Sequence, residues 1–154
     1  MRVTKEYKFE ASHILPEHPG KCSRLHGHSW ILKVSVDGPV NPDSGFVMDY
    51  GEMFKIVKPI IELLDHTHLG MIIEGEIVGL WTRRELPDDF YPTSENLLFW
   101  IAGRLKGLDI HQIHQTGEVL TLKSWWSQLE LNETCTCAAI LTREEFDNVG
   151  TGKS

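Results

Sequence analysis

Seven residues, Cys22-Ser23-Arg24-Leu25-His26-Gly27-His28, carry the side chains best suited to chemistry. Two imidazoles sit two positions apart, and a thiol precedes the first by four residues. On an extended backbone side chains alternate faces, so His26 and His28 point the same way. That parity continues through Trp30, Leu32, Val34 and Val36, the pattern of a strand's buried face. An upstream row of the same kind, Val3, Tyr7, Phe9 and Ala11, ends on a third imidazole, His13. Paired as a hairpin, the two strands meet at their histidine ends, joined by the loop from Ile14 to Leu25. Three neutral imidazoles at one end of a buried face are the ligand set of a catalytic zinc ion, with the fourth position open to water or substrate. The competing reading makes each a hydrogen-bonded core histidine; the shared inward parity of all three favours the metal. Gly27, between two of them, leaves room for another backbone or a ligand.

These side chains need a frame. Residues 2–13 and 26–37 alternate as half-buried strands, and turn-forming clusters at Asp37-Gly38-Pro39 and Asn41-Pro42-Asp43-Ser44-Gly45 close the second. A helix is expected from Asp49, an N-cap with Glu52 placed to complete a capping box. Its stripe is Met53, Ile56, Val57, Ile60, Ile61 and Leu64, and Pro59 predicts a kink. Asp65 and His66 follow, either as a helix-end cap or as a proton-transfer pair in which the carboxylate sets the imidazole tautomer. Residues 71–91 read as irregular or β-like, with room for a short hairpin. Pro92-Thr93-Ser94-Glu95-Asn96 opens a second helix, capped by Thr93 or Ser94, striped by Leu97, Leu98, Ile101 and Leu105, and stopped by Gly107.

The last third is β-rich: Val119, Leu120 and Leu122, then Leu129 and Leu131, then Ala138 to Leu141. Glu133 keeps the inward parity of the two leucines, where a carboxylate needs a partner. The pattern does not choose between a structural ion pair and a functional site. Cys135 and Cys137 read as small core or site-lining residues. The sum is a single domain over residues 1–146, with a frayed tail at 147–154. Its order β-β-α-α-β-β is an α+β pattern in which two helices cover one face of a four-stranded antiparallel sheet. Two open edges and leftover apolar surface predict an oligomer.

Composition bounds the function. A hydrophobic content of 41% and a charged content of 24% are ordinary for a soluble globular chain of 154 residues. Apolar runs are too short to span a membrane. Three cysteines, an odd number without a secretory signal, point to a reduced, cytoplasmic setting. A net charge of −7 with no basic stripe argues against nucleic acid as partner, and any anionic substrate must be held by local groups.

Six segments occur in one order: Phe9-Glu10-Ala11-Ser12-His13, the Cys-x-x-x-His-Gly-His stretch, Gly45-Phe46-Val47-Met48-Asp49-Tyr50, Leu64-Asp65-His66, Pro92 to Asn96, and Glu133-Thr134-Cys135-Thr136. Together, over residues 2–142, they resemble the 6-pyruvoyl-tetrahydropterin synthase family. The three-residue gap between Cys22 and His26 is similar to the family's carboxy-tetrahydropterin-forming branch, on the queuosine (7-deazaguanine) route. The resemblance implies the tunnelling fold, with β-β-α-α-β-β units assembled into barrels, and homohexamers of two trimers with active sites between subunits. It carries zinc onto His13, His26 and His28, a catalytic thiol onto Cys22, proton transfer onto Asp65 and His66, and pterin binding onto Glu133 and Thr134. Glu133 belongs to the same proton relay, and Lys21 and Arg24, beside the thiol, would meet a triphosphate. The implied reaction converts 7,8-dihydroneopterin triphosphate to 6-carboxy-5,6,7,8-tetrahydropterin with release of acetaldehyde and triphosphate. The alternatives are the triphosphate-eliminating pyruvoyl lyase and a non-catalytic zinc- or pterin-binding relative, whose site a cysteine would close as Cys-His₃. An aldolase acting on dihydroneopterin is set aside because it leaves three inward imidazoles unexplained. Residues 71–91 and 108–124 look longer than in compact members.

Overall fold

In the computed structural model the alternating segments become two strands of 12 residues each, β1 (Arg2–His13) and β2 (His26–Asp37). The structure describes residues 1–70, 86, 90–106, 108, 110–113, 119–122 and 125–150. β1 and β2 pair antiparallel along their whole length, with His13 opposite His26, Ala11 opposite His28 and Phe9 opposite Trp30. Tyr7, Phe9, Ala11 and His13 are buried from one strand, and Trp30, Leu32, Val34 and Val36 from the other. Phe9 and Trp30 stack with centroids 5.9 Å apart and planes within 4°.

Helix α1 (Tyr50–Leu64) starts where Asp49 accepts hydrogen bonds from the N–H groups of Gly51 and Glu52. Glu52 does not close a capping box; its carboxylate pairs with Lys55 at 2.6 Å. The helix runs through Pro59, which lies on its exposed side. There the carbonyl left without an intrahelical donor can bond to water instead. Met53, Val57, Ile60, Ile61 and Leu64 are its buried residues. Helix α2 (Ser94–Leu105) is capped by the Thr93 hydroxyl, and its expected stripe is buried. Gly107, the expected stop, lies outside the described residues, as does most of 71–91.

Four features differ from the expected frame. Three residues beyond α1 form β3 (Thr67–Leu69), parallel to the histidine end of β1. The main sheet is therefore mixed and five-stranded, in the order β3-β1-β2-β6-β7, with β6 at Gln128–Asn132 and β7 at Ala138–Thr142. Strands β4 (Ile110–Ile113) and β5 (Val119–Leu122) pair as a separate antiparallel hairpin, so the extra length of 108–124 leaves the main sheet intact. A third helix, α3 (Arg143–Gly150), follows β7 and takes in residues 147–150 of the expected tail. The signal for α3 was present: Thr142 and Glu145 form a capping box, in which Glu145 accepts the Thr142 N–H at 2.8 Å and Thr142 Oγ1 accepts the Glu145 N–H at 3.2 Å. Phe146 then packs on Trp126, centroids 5.8 Å apart. Cys135 and Cys137 are exposed in the β6–β7 turn, so neither is a core residue.

Trp30 is fully buried against Phe9 and the histidine cluster. Trp30→Ala is expected to destabilise the chain by about 3–5 kcal/mol, read as a lower urea midpoint with unchanged slope. A midpoint shift worth under about 1 kcal/mol would show that the hairpin does not depend on this contact.

Candidate metal centre and active site

The antiparallel register places His13 and His26 on directly opposed positions, and His28 joins them one inward position further along β2. His13 Nε2 lies 3.0 Å from His26 Nε2. Each of these rings is fixed from behind by a carbonyl: His13 Nδ1 donates to Pro92 O at 2.8 Å, and His26 Nδ1 donates to Arg24 O at 2.7 Å. A carbonyl only accepts, so the Nδ1 atoms hold the protons and the neutral rings present lone pairs at Nε2. Two lone pairs at that separation repel unless a cation lies between them. His28 Nε2 is buried and has no hydrogen-bond partner. An orphaned ring nitrogen and two rings oriented by backbone carbonyls are what a metal ligand set requires.

Electrostatics favour the unprotonated rings. Burial pushes His13 below the ordinary histidine value; the Pro92 carbonyl and Glu133 oppose that shift, while His26 and His28 add to it. His28 is likewise lowered, chiefly by burial, with Glu133 opposing and His26 assisting. Neutral imidazoles bind a divalent cation; imidazolium does not.

Glu133 extends the inward row of Leu129 and Leu131 just past the end of β6, and its N–H donates to Cys137 O at 3.1 Å. Its Oε1 stands 3.3 Å from both His13 Nε2 and His28 Nε2. Its Oε2 accepts from Ser94 Oγ at 3.1 Å. One potential ligand atom from each of His13, His26, His28 and Glu133 falls within 4.8 Å of the others. Cys22 is outside that set. It lies half-buried in a short 3₁₀ turn, Lys21–Ser23, between exposed Lys21 and Arg24. The potential ligand atoms gathered within this chain are three imidazoles and a carboxylate, without the Cys22 thiol.

Asp65 and His66 form a second constellation. Asp65 Oδ2 meets His66 Nδ1 at 2.9 Å, and Asp65 Oδ1 accepts the Glu10 N–H at 2.8 Å. His66 has φ +56°, the left-handed region, with its N–H donating to Glu10 O at 2.6 Å. That conformation is strained for a residue with a Cβ and is held here by β1. The His66 side chain is 79% exposed, and with Glu10, Ser12, Gly27, His28 and His68 it borders a cleft of about 400 Å³. His28 thus belongs to both the metal cluster and the cleft that holds His66. Gly27 also borders the cleft, but a Cβ there would only reach ordinary contact, 3.4 Å from Ala11 O. Its openness therefore serves the cleft and is not required by the hairpin. Thr134, beside Glu133, accepts the Thr136 N–H at 3.3 Å within its own turn.

The sequence reading missed Ser94 and Pro92 as site residues. Thr93 and Ser94 were both legible as caps; the structure gives the cap to Thr93 and turns Ser94 to Glu133.

Comparison with known proteins bears on the family and the fold. Residues 2–144 match the family described as 6-pyruvoyl tetrahydropterin synthase. The chain belongs to that family. A Synechocystis relative named 6-carboxy-5,6,7,8-tetrahydropterin synthase is 33% identical over 141 residues, covering 89% of each chain. A Pyrococcus furiosus relative named dihydroneopterin monophosphate aldolase is 29% identical, covering 68% of this chain and 75% of its own. The fold matches Caenorhabditis elegans 6-pyruvoyl tetrahydropterin synthase with a TM-score of 0.69 at 22% identity, over 92% of this chain and 94% of that one. The fold is thus the one the family resemblance implied. A relative that bears an aldolase name brings back the aldol cleavage set aside above.

Two outcomes test the site. His26→Ala is expected to abolish stoichiometric zinc binding in the purified protein, and full occupancy by elemental analysis would contradict the ligand assignment. For Asp65, burial raises the carboxyl pKa, but the Glu10 N–H and His66 outweigh it and hold the value below the ordinary 3.8. Stability from this carboxylate is therefore present above the ordinary value and lost as pH falls through the depressed one. Asp65→Asn should flatten the acid limb of a pH–stability curve while leaving its shape above neutrality unchanged.

Proposed function

We propose that this protein is a zinc-dependent pterin lyase that converts 7,8-dihydroneopterin triphosphate to 6-carboxy-5,6,7,8-tetrahydropterin, releasing acetaldehyde and triphosphate. The observation that carries the reading is the convergence of three imidazole nitrogens and one carboxylate at the end of the β1–β2 hairpin. The product assignment rests on the three-residue gap between Cys22 and His26 and on the names of relatives at 33% identity.

His13, His26 and His28 hold the zinc ion, which when bound supplies Lewis acidity to the hydroxyl oxygens of the substrate side chain. Glu133 accepts the adjacent N–H donors of the pterin edge and thereby orients the side chain toward the histidines. Cys22, four residues before His26 on the connecting loop, takes the carbon-bound proton as general base. Asp65 keeps the His66 proton on Nδ1, leaving Nε2 to receive or return a proton in the cleft. Thr134 borders the ring, and Lys21 and Arg24 meet the triphosphate by charge-assisted hydrogen bonds. Neither Cys22 nor the Asp65–His66 pair belongs to the metal cluster of one chain, which fits a homohexamer with sites completed between subunits. Exposed Ile140 on β7, at the sheet's open edge, also fits burial by another copy. Three free thiols suit a reducing cytoplasm.

The aldolase relative supports a second reading, in which a retro-aldol break of the side chain releases a phosphorylated two-carbon aldehyde. The zinc-loaded protein, incubated with dihydroneopterin triphosphate, is expected to yield acetaldehyde and a 6-carboxy pterin. A phosphorylated aldehyde with a hydroxymethyl pterin would replace this reading with the aldolase, and a pyruvoyl product without aldehyde would replace it with the eliminating lyase. Cys22→Ala should keep its zinc and its circular dichroism while losing about a hundredfold or more in turnover, the usual worth of a general base. Unchanged turnover would remove Cys22 from the mechanism.

A further inference from the structure

We propose that Glu133 is itself the fourth ligand of the resting metal centre and leaves it when a pterin ring binds, so that the ring opens the site it is about to use. This rests on the metal-centre reading above and adds a second, competing duty to the carboxylate that reading assigns to ring recognition.

Glu133 Oε1 lies 3.3 Å from His13 Nε2 and 3.3 Å from His28 Nε2. The inward nitrogens of His13 and His26 are lone pairs, because their Nδ1 protons are committed to Pro92 and Arg24 carbonyls. A carboxylate oxygen is also an acceptor. Three acceptors therefore face one point beside the unpartnered Nε2 of His28, and a cation would satisfy all four together. The site offers three neutral ligands and one negative one, and Glu133 can close the position that three histidines alone would leave open.

Ser94 decides how the carboxylate is presented. Its hydroxyl, 8% exposed at the first turn of α2, donates to Oε2 at 3.1 Å. With Oε2 held by Ser94, only Oε1 is aimed at the histidines, which is single-atom ligation. A pterin edge presents two adjacent N–H donors and is best met by both carboxylate oxygens at once. A bidentate contact needs both oxygens turned together to the ring edge, and a carboxylate held by Ser94 with Oε1 aimed at the histidines is not turned that way. The two states exclude each other, so ring binding and Glu133 ligation oppose one another as linked equilibria. In the absence of a ring the carboxylate would cap the position at which a bound cation would otherwise activate water.

The test uses Co²⁺ in place of zinc, because its visible absorption reports ligand set and number, and unsubstituted pterin, which has the ring edge but no side-chain hydroxyls to replace a lost ligand. Saturating pterin should shift the spectrum of the Co²⁺-loaded wild-type protein. Glu133→Ala without pterin should already show the shifted spectrum, should not respond to pterin, and should bind the metal about tenfold more weakly or worse. A wild-type spectrum that pterin leaves unchanged, whether the ring fails to bind or Glu133 stays in place, overturns the proposal. A Glu133→Ala spectrum and metal affinity equal to wild type overturn it too. Failure of the wild-type protein to take up Co²⁺ at all is a different result: it removes the three-histidine metal centre, and with it the function proposed above. The wild-type titration needs no variant, so poor folding of Glu133→Ala would not protect the idea.

Discussion

The register between β1 and β2 is the constraint on which the rest of the site depends. Side chains in a strand alternate with a period of two, so a slip of one residue would turn every inward group outward. Here such a slip would move His26 and His28 to the solvent face together with Trp30, Leu32 and Val34. The candidate metal ligands therefore share their positioning energy with the core. Burying Phe9, Trp30, Leu32 and Val34 locks the same register that brings His13 opposite His26. Holding several lone pairs together is unfavourable in an empty site, and the apolar face below them supplies the opposing stabilisation.

From that hairpin the other elements contribute by contact with its histidine end. α1 ends beside β1 and hands on Asp65 and His66, each bonded to the backbone of Glu10. α2 begins at the same end, so its leading segment supplies the Pro92 carbonyl to His13 and the Ser94 hydroxyl to Glu133. β6 extends the sheet on the far side of β2 and delivers Glu133 as it runs out. The hairpin and three further elements thus terminate around one point, and termini are where backbone donors and acceptors remain uncommitted to helix or ladder.

Much of this was legible in the sequence, for reasons that differ by element. The β1–β2 alternation is long and unbroken, so both strands and the inward parity of all three histidines could be read from period alone. Asp49 and Thr93 announced their helices because N-capping is a local interaction. Glu133 kept parity with Leu129 and Leu131, which marked it as inward without saying what it faced. The parallel pairing of β3 with β1 left no such trace: three residues are too few to show a period, and their partners lie 56 positions away in sequence. The Ser94–Glu133 and His13–Pro92 bonds span 39 and 79 residues, and one of them uses a backbone carbonyl, which every residue has. The Thr142–Glu145 box was local and readable, and marks α3 once it is looked for.

Gly70 and Pro92 bear on how the family can vary. A Cβ on Gly70 would stand 2.7 Å from Pro92 Cδ and 2.9 Å from Phe90 O, so the chain leaves the sheet at Gly70 and comes back against the same spot. Gly70 follows β3 directly, and Pro92 holds the ring of His13. The two ends of the intervening segment therefore meet at one place. Lengthening a closed loop adds only about 0.6 kcal/mol per doubling. A change in the number of residues between Gly70 and Pro92 would therefore leave both anchor points, and the His13 ring that Pro92 holds, in place.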